Sequence, residues 1–434
     1  MKPALLFSLI FFLFLMDTKA QTAAEFAGIW DKTHITSKFP SDVRHSDLKN
    51  YLAHLKKLGL KVEEVGRSNA NREIYQVEFG TGKTKVFMWS QMHGDEPTAT
   101  SALMDMFAYL QTHRDKGWAK TIYQNLTIRA VPMLNPDGEE LYQRRNLQNI
   151  DINRDARDLK TPEARLLKKL RDEWSPDIGF NLHNENERTT VGNTNKQAAI
   201  SLLVVYGDAA KTTNPGHERN KRLVSAMIAA LNNFIPGYIG KYDDEYTATA
   251  FGDNFSAWGT PVILIETGAL HGKDEMYLVK MNFVAMLTAL TKLADGSEKT
   301  FPPTLYEQLP DNSSGRIYNF VFRDATVITP GKPDGIVASI GVNTERRRAS
   351  FNAPNRIEQI GTVTRVGLDE YDASNYYVVQ KFGNMKVGEL AEFLFYKKDR
   401  KIDWTASDLE KQYQPDAIFS GGKWTKGGEL FSKK

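Results

Sequence analysis

The chain contains no cysteine. That absence excludes disulfide scaffolds, thiol nucleophiles, thiolate zinc sites, iron–sulfur clusters and a lipid-modified N-terminal cysteine. Any metal has to be held by His, Asp or Glu, and only 8 histidines are available. An excess of one charge sign is also missing. Lys plus Arg number 56 against 53 Asp plus Glu, a formal net charge of +3. So small an excess leaves no electrostatic footprint for nucleic acid or an anionic surface. There is no clear internal repeat and no low-complexity tract. Beyond the first twenty residues, no stretch reads as long and apolar enough for a membrane helix. What remains is ordinary globular composition over 434 residues, 41% hydrophobic and 25% charged. Disorder is thereby excluded as the dominant state, and the length suits two or three domains with a large core.

The N-terminus has a short positive start, Met1-Lys2, followed by a nearly continuous apolar run from Ala4 to Met16. Thr18-Lys19-Ala20 then places small residues where a signal peptidase reads. The run is short for a bilayer span, so a cleaved signal peptide over 1–20 is expected, with an uncleaved anchor as the alternative. Export to the periplasm or the extracellular space follows, with no membrane span left after cleavage.

The rest divides into a large α/β part and a smaller β-rich tail. Ser46 to Lys57 carries Leu48, Tyr51, Leu52 and Leu55 at helical spacing. Lys85 to Ser90 reads as a buried strand, Thr98 to Leu110 as a helix, and Leu126 to Leu134 as a strand ended by a turn at Asn135-Pro-Asp-Gly138. Thr161-Pro162-Glu163 opens a helix with a cap, a proline at the first position and an acid in the first turn. Asp177–Leu182, Ser201–Tyr206 and Val262–Ile265 are further strands. Such alternation predicts a mostly parallel sheet covered by helices, with sites at the carboxyl ends of strands. Composition turns polar and proline-containing around Gly296 to Pro303, a linker that sets domains of 21–298 and 299–434. Short β-type runs at 317–322, 325–328, 335–340, 359–366 and 376–381 predict a small sandwich or barrel.

The chemistry falls at strand ends. His93-Gly-Asp-Glu96 follows a strand directly and can place an imidazole and a carboxylate on one cation. His183 closes the apolar run Phe180-Asn-Leu-His183 and can supply a third ligand; the plainer reading is a histidine opening a surface loop. Arg144 to Arg154 is dense in groups that bind carboxylates and oxyanions. Within it, an aspartate such as Asp151 can orient a metal-bound histidine; the plainer reading is a solvated charged loop. Glu266 ends the apolar strand Val262-Ile-Leu-Ile and precedes Thr267-Gly268. A carboxylate there is costly to bury unless it is paired or functional, and can serve as a general base; the plainer reading is a Glu emerging at the sheet edge.

In this order, His93-x-x-Glu96, Asn135-Pro-Asp-Gly138, Arg144, Asp151-x-Asn153-Arg154, His183 and Glu266 resemble the zinc carboxypeptidase family, in its bacterial branch. The resemblance spans roughly 45–295. It implies an α/β fold with a mixed, mostly parallel, twisted eight-stranded sheet flanked by helices, beside the smaller C-terminal β-rich domain. It also implies one catalytic zinc ion held by His93, Glu96 and His183, with Asp151 hydrogen-bonded to a ligand histidine. Glu266 matches the general base, and Asn153 and Arg154 match the pair that grips the substrate's terminal carboxylate. Arg144 best matches the oxyanion arginine, with Arg145 as its neighbouring rival. Tyr246 matches, in a loosely aligned region, the tyrosine that closes on substrate. Two departures stand out: Asn149 replaces the glycine two residues before the aspartate, and His183-Asn-Glu185 replaces the His-Ser-Tyr of pancreatic members. Asp253 reads either as a selector of basic side chains or as a turn residue. The activity implied is zinc-assisted hydrolysis of a peptide at its free C-terminal carboxylate. An amidohydrolase of the same fold, acting on cell-wall peptides or acylated amino acids, is the alternative. A non-catalytic zinc-binding or adhesion module is the alternative from another class, and glycan or protein binding by the tail is a further reading.

Overall fold

A computed structural model of the chain describes residues 23–329, 332–406 and 408–431. The expected signal peptide at 1–20 lies outside the described residues. The chain divides into two compact units between Ser313 and Ser314.

In the first unit the strands are β1 (Lys61–Arg67), β2 (Glu73–Gly80), β3 (Thr84–Ser90), β4 (Leu126–Val131), β5 (Ile178–Asn184), β6 (Thr190–Val191), β7 (Ile200–Val205), β8 (Ile239–Lys241), β9 (Val262–Thr267) and β10 (Asn312–Ser313). Eight of them form one sheet in the order β1-β2-β4-β3-β5-β9-β7-β8, and β10 pairs separately with β6. The central strands β4, β3, β5 and β9 are parallel. The contacts β1–β2, β2–β4 and β7–β9 are antiparallel, which makes the sheet mixed. Residue alternation along β3 explains why it lies at the centre. Val86 and Met88 join the core under helices Thr98–Thr112, Pro215–Leu231 and Glu275–Asp295. Phe87 and Trp89 point the other way, into the core with Leu167 of helix Pro162–Trp174 and Phe255 of helix Phe251–Ala257. A strand apolar on both faces can only sit between two layers.

Local chemistry sets the helix ends. Thr161 accepts a hydrogen bond from the Ala164 amide (3.1 Å) and Pro162 takes the first helical position. The expected turn at Asn135-Pro-Asp-Gly138 is instead a helix start: Pro136–Leu141 is helical and Asn135 caps it, accepting from the Gly138 amide at 2.9 Å. The same residue types favour both outcomes, because an Asx side chain can bond the backbone ahead of it in a turn or at an N-cap. Helix Glu275–Asp295 is long and apolar enough by composition to cross a membrane, contrary to the sequence reading. Its apolar residues Val279, Phe283, Val284 and Leu287 are packed in the core.

The second unit is β-rich. Its strands are β11 (Ile317–Thr329), β12 (Lys332–Thr344), β13 (Asn355–Gly361), β14 (Val366–Asp372), β15 (Tyr376–Gln380), β16 (Phe393–Lys397), β17 (Ala417–Ser420) and β18 (Lys423–Lys426). They form one hydrogen-bonded sheet in the order β13-β12-β11-β15-β16-β17-β18, with β14 pairing β11 in parallel. Phe322, Ile340, Ile357, Phe393, Phe395 and Phe419 make its core. The two expected runs at 317–322 and 325–328 are one long strand whose register shifts between Phe322 and Ala325, where Asp324 has φ +56°. The expected run 359–366 is broken instead, because β13 stops at Gly361 with φ +121°.

Candidate metal centre

Three strand ends build the site. Beyond β3 the chain turns sharply, with Gln91 at φ +49° and the Glu96 amide bonded to the His93 carbonyl (3.2 Å). Gly94 in this turn abuts the backbone of Gly138, and a Cβ there would lie 1.9 Å from the Gly138 carbonyl carbon. A side chain at position 94 would therefore push the turn off helix Pro136–Leu141. His183 is the penultimate residue of β5 and Glu266 the penultimate residue of β9. These two residues are register partners on adjacent parallel strands, so their side chains share one face of the sheet.

His93, Glu96 and His183 converge, with their ligand atoms all within 4.8 Å of one another. The two imidazole Nδ1 atoms are 3.2 Å apart. His93 Nδ1 lies 2.8 Å from Glu96 Oε1, and His183 Nδ1 lies 2.6 Å from Glu96 Oε2. All three residues are buried. Burial disfavours the Glu96 carboxylate, but the two histidines outweigh it and hold its pKa well below the carboxylate range. Burial likewise pulls the His183 pKa down, which favours the neutral imidazole that binds metals. On His93 burial works downward too, but Glu96 and Asp151 prevail and raise it. The donor set fits zinc. Two nitrogens on a tetrahedral ion at about 2.0–2.1 Å stand roughly 3.3 Å apart, and three protein ligands leave a position open.

Asp151 ties the surroundings together. Its Oδ1 faces His93 Nε2 (3.1 Å) and accepts from the Asn153 amide (2.9 Å). Its Oδ2 accepts from Arg144 Nε (2.9 Å). Burial alone would raise the Asp151 pKa, but His93 and Arg144 hold it well below the usual range. Of the two neighbouring arginines, Arg144 reaches the cluster, with Nη1 3.1 Å from His93 Nδ1 and 3.3 Å from Glu96 Oε1. Arg145 turns away and donates to the Asn149 carbonyl. Asn149 itself has φ +59°, a left-handed backbone that asparagine tolerates better than most residues. Asn153 accepts from the Phe251 amide (2.9 Å), and the exposed Arg154 donates to the Asn153 carbonyl. Tyr246 is half-buried in the coil before helix Phe251–Ala257. The tyrosine whose ionisation Glu266 opposes is Tyr242, which the sequence reading did not single out. Asp253 accepts from the Thr247 amide (2.8 Å), a bond that braces the turn into that helix.

Glu185 is the other residue the sequence reading left without a role. It is buried two positions beyond His183, and its carboxylate accepts from Ser201 Oγ (2.6 Å) and Asn312 Nδ2 (2.9 Å). The only sequence signal was an acid following a ligand at a spacing of two, the period that returns a side chain to the same sheet face.

Fold and site together define an α/β protein with a three-ligand His–Glu–His centre at the carboxyl edge of its sheet. The family model described as zinc carboxypeptidase matches residues 48–234, so that segment is similar to zinc carboxypeptidases. Carboxypeptidase 2 of Trichophyton rubrum is 30% identical over 101 residues, covering 23% of this chain and 18% of that one. Carboxypeptidase SOL1 of Arabidopsis thaliana is 30% identical over 100 residues, 20% of each chain. The chain spans about a quarter or less of the length of the curated relatives it matches. Among solved structures, a metallo-carboxypeptidase from Burkholderia cenocepacia aligns with a TM-score of 0.48 at 17% identity, over 58% of this chain and 69% of that one.

Proposed function

We propose that the first unit is a zinc carboxypeptidase that removes the C-terminal residue of peptides. The observation that carries this reading is the buried His93–Glu96–His183 cluster, with Arg144 reaching into it and Glu266 in register beside His183. One zinc ion held by the three residues supplies Lewis acidity toward a carbonyl oxygen and a water. Glu266 takes a proton from the attacking water, whose oxygen bonds to the scissile carbon. Glu266 then gives that proton to the amine nitrogen as the C–N bond breaks. Arg144 holds the negative charge that develops on the carbonyl oxygen, and its bond to Asp151 fixes where the guanidinium points. Asp151 orients His93 through Nε2. Asn153 and Arg154 bind the terminal carboxylate of the substrate, and Tyr246 closes over it. Export, read from residues 1–20, belongs to this proposal, and peptides of a cell wall are a substrate class open to an exported enzyme.

The test is a peptide-library digest read by mass spectrometry, with and without a chelator. Loss of single C-terminal residues, abolished by the chelator and by C-terminal amidation, is expected. Internal cleavage, or release insensitive to both, would sink the reading.

A further inference from the structure

The segment that leaves the first unit, Pro310 to Ser313, runs along the wall of the metal centre. The Lys241 amide bonds to the Pro310 carbonyl (2.7 Å) and the Gly192 amide to the Asp311 carbonyl (2.8 Å). Asn312 and Ser313 pair with Val191 and Thr190 as β10 and β6, and Lys241 Nζ meets Asp311 at 3.0 Å. This stitching fixes the loop that follows His183.

The Asn312 side chain goes further inward. It donates to Glu185 Oε2 at 2.9 Å and lies 3.5 Å from Ser201 Oγ, which itself donates to Glu185 Oε1 at 2.6 Å. Ser201 is the register partner of Glu266 across the antiparallel pair β7–β9, so the two side chains are neighbours on one face. The Glu185 amide is tied to the Thr267 carbonyl (2.9 Å). The Glu185 side chain passes over Gly268, where a Cβ would sit 3.5 Å from Glu185 Cγ and 2.1 Å from the Ala198 carbonyl oxygen. Gly240 leaves room on the opposite side, since its Cβ would meet Ser201 Oγ at 3.1 Å and Asn312 Cβ at 3.4 Å. Glu185, Ser201 and Asn312 thus form one polar patch beside Glu266, assembled from three stretches of chain.

We propose that Asn312 is a positioning residue for the metal centre, holding the wall beside Glu266 through Glu185 and Ser201. The functional half of this inference rests on the carboxypeptidase reading; the structural half does not. Asn312 acts through Glu185 and Ser201, so its loss disturbs the placement of substrate rather than the chemical step.

The test uses full-length protein and the variants Asn312→Ala, Glu185→Ala and the double variant. Asn312→Ala is expected to raise KM about five- to tenfold, the order of one lost buried hydrogen bond, with kcat within about twofold of wild type. The double variant should be no worse than Glu185→Ala alone, because both changes cut the same contact. Amide hydrogen exchange across 185–198 should rise in Asn312→Ala while the global unfolding midpoint changes little. Additive effects on kcat/KM, or an unchanged KM, would overturn the role in catalysis. Unchanged exchange across 185–198 would overturn the positioning itself. Wild-type protein that releases no C-terminal residue would instead defeat the peptidase reading, and the exchange measurement would still decide what Asn312 does.

Discussion

At the residue scale the metal centre separates ligands from the groups that tune them. Glu266→Gln should retain zinc, since Glu266 lies outside the ligand triad, and should lose turnover by about 10²–10⁴-fold, the usual contribution of a general base. Near-normal turnover in that variant would remove Glu266 from the mechanism. His93→Ala should lose stoichiometric zinc by atomic emission. Asp151→Asn should weaken zinc by about 10–100-fold without abolishing binding, because it removes the partner of His93 and not a ligand. A chelator competition titration measures this, and an affinity equal to wild type would show that Asp151 serves Arg144 alone. His93 and Glu96 were legible in the sequence because they lie three residues apart in one turn. Arg144 and Arg145 could not be told apart there: adjacent residues in a loop follow no period, and only the salt bridge to Asp151 aims one of them inward.

At the element scale the strand ends and helix starts carry the argument. Thr161→Ala should cost about 1 kcal/mol, the usual worth of an N-cap, read from a denaturant midpoint. Helix Phe251–Ala257 carries a pH-sensitive acid near its start. Burial pushes the Asp253 carboxyl up from an ordinary 3.8 to about 6. A raised pKa in the folded state means that folding favours the protonated acid. The contribution is therefore full below about pH 4 and is lost as pH rises through about 6. Asp253→Asn should flatten stability over that window relative to wild type, as followed by urea unfolding. An unchanged slope would assign it to another group. Helices with cap signals, such as Pro162–Trp174, were readable because capping is local. β1, β2 and β8 escaped notice: each is partly exposed and lacks the continuous apolar run that marks β3 or β9. In the second unit, β16 to β18 were missed for a related reason. They are only four or five residues long, too short for a periodic pattern to mark them off from their surroundings.

At the scale of the whole molecule, the first compact unit runs through Ser313, past the linker expected at 296–303. Tyr306 explains why: it is buried in the first unit's core, and its hydroxyl accepts from the Val204 amide of β7 at 3.0 Å. A chain ending at Ser313 should keep the proposed peptidase activity and a cooperative unfolding transition. One ending at residue 298 should lose both, and equal behaviour of the two would refute this boundary. The sequence by itself determined whatever depends on neighbours along the chain: the cysteine-free ligand chemistry, the His-x-x-Glu turn, the apolar central strands and the capped helices. The tertiary structure alone decided what depends on strand order and register. It brought His183 to a turn some ninety positions earlier, set Glu266 beside it, and delivered Asn312 to Glu185. The physical reason is that period and capping act over a few residues, whereas a site built on parallel strands takes its members from crossovers whose order no local pattern encodes.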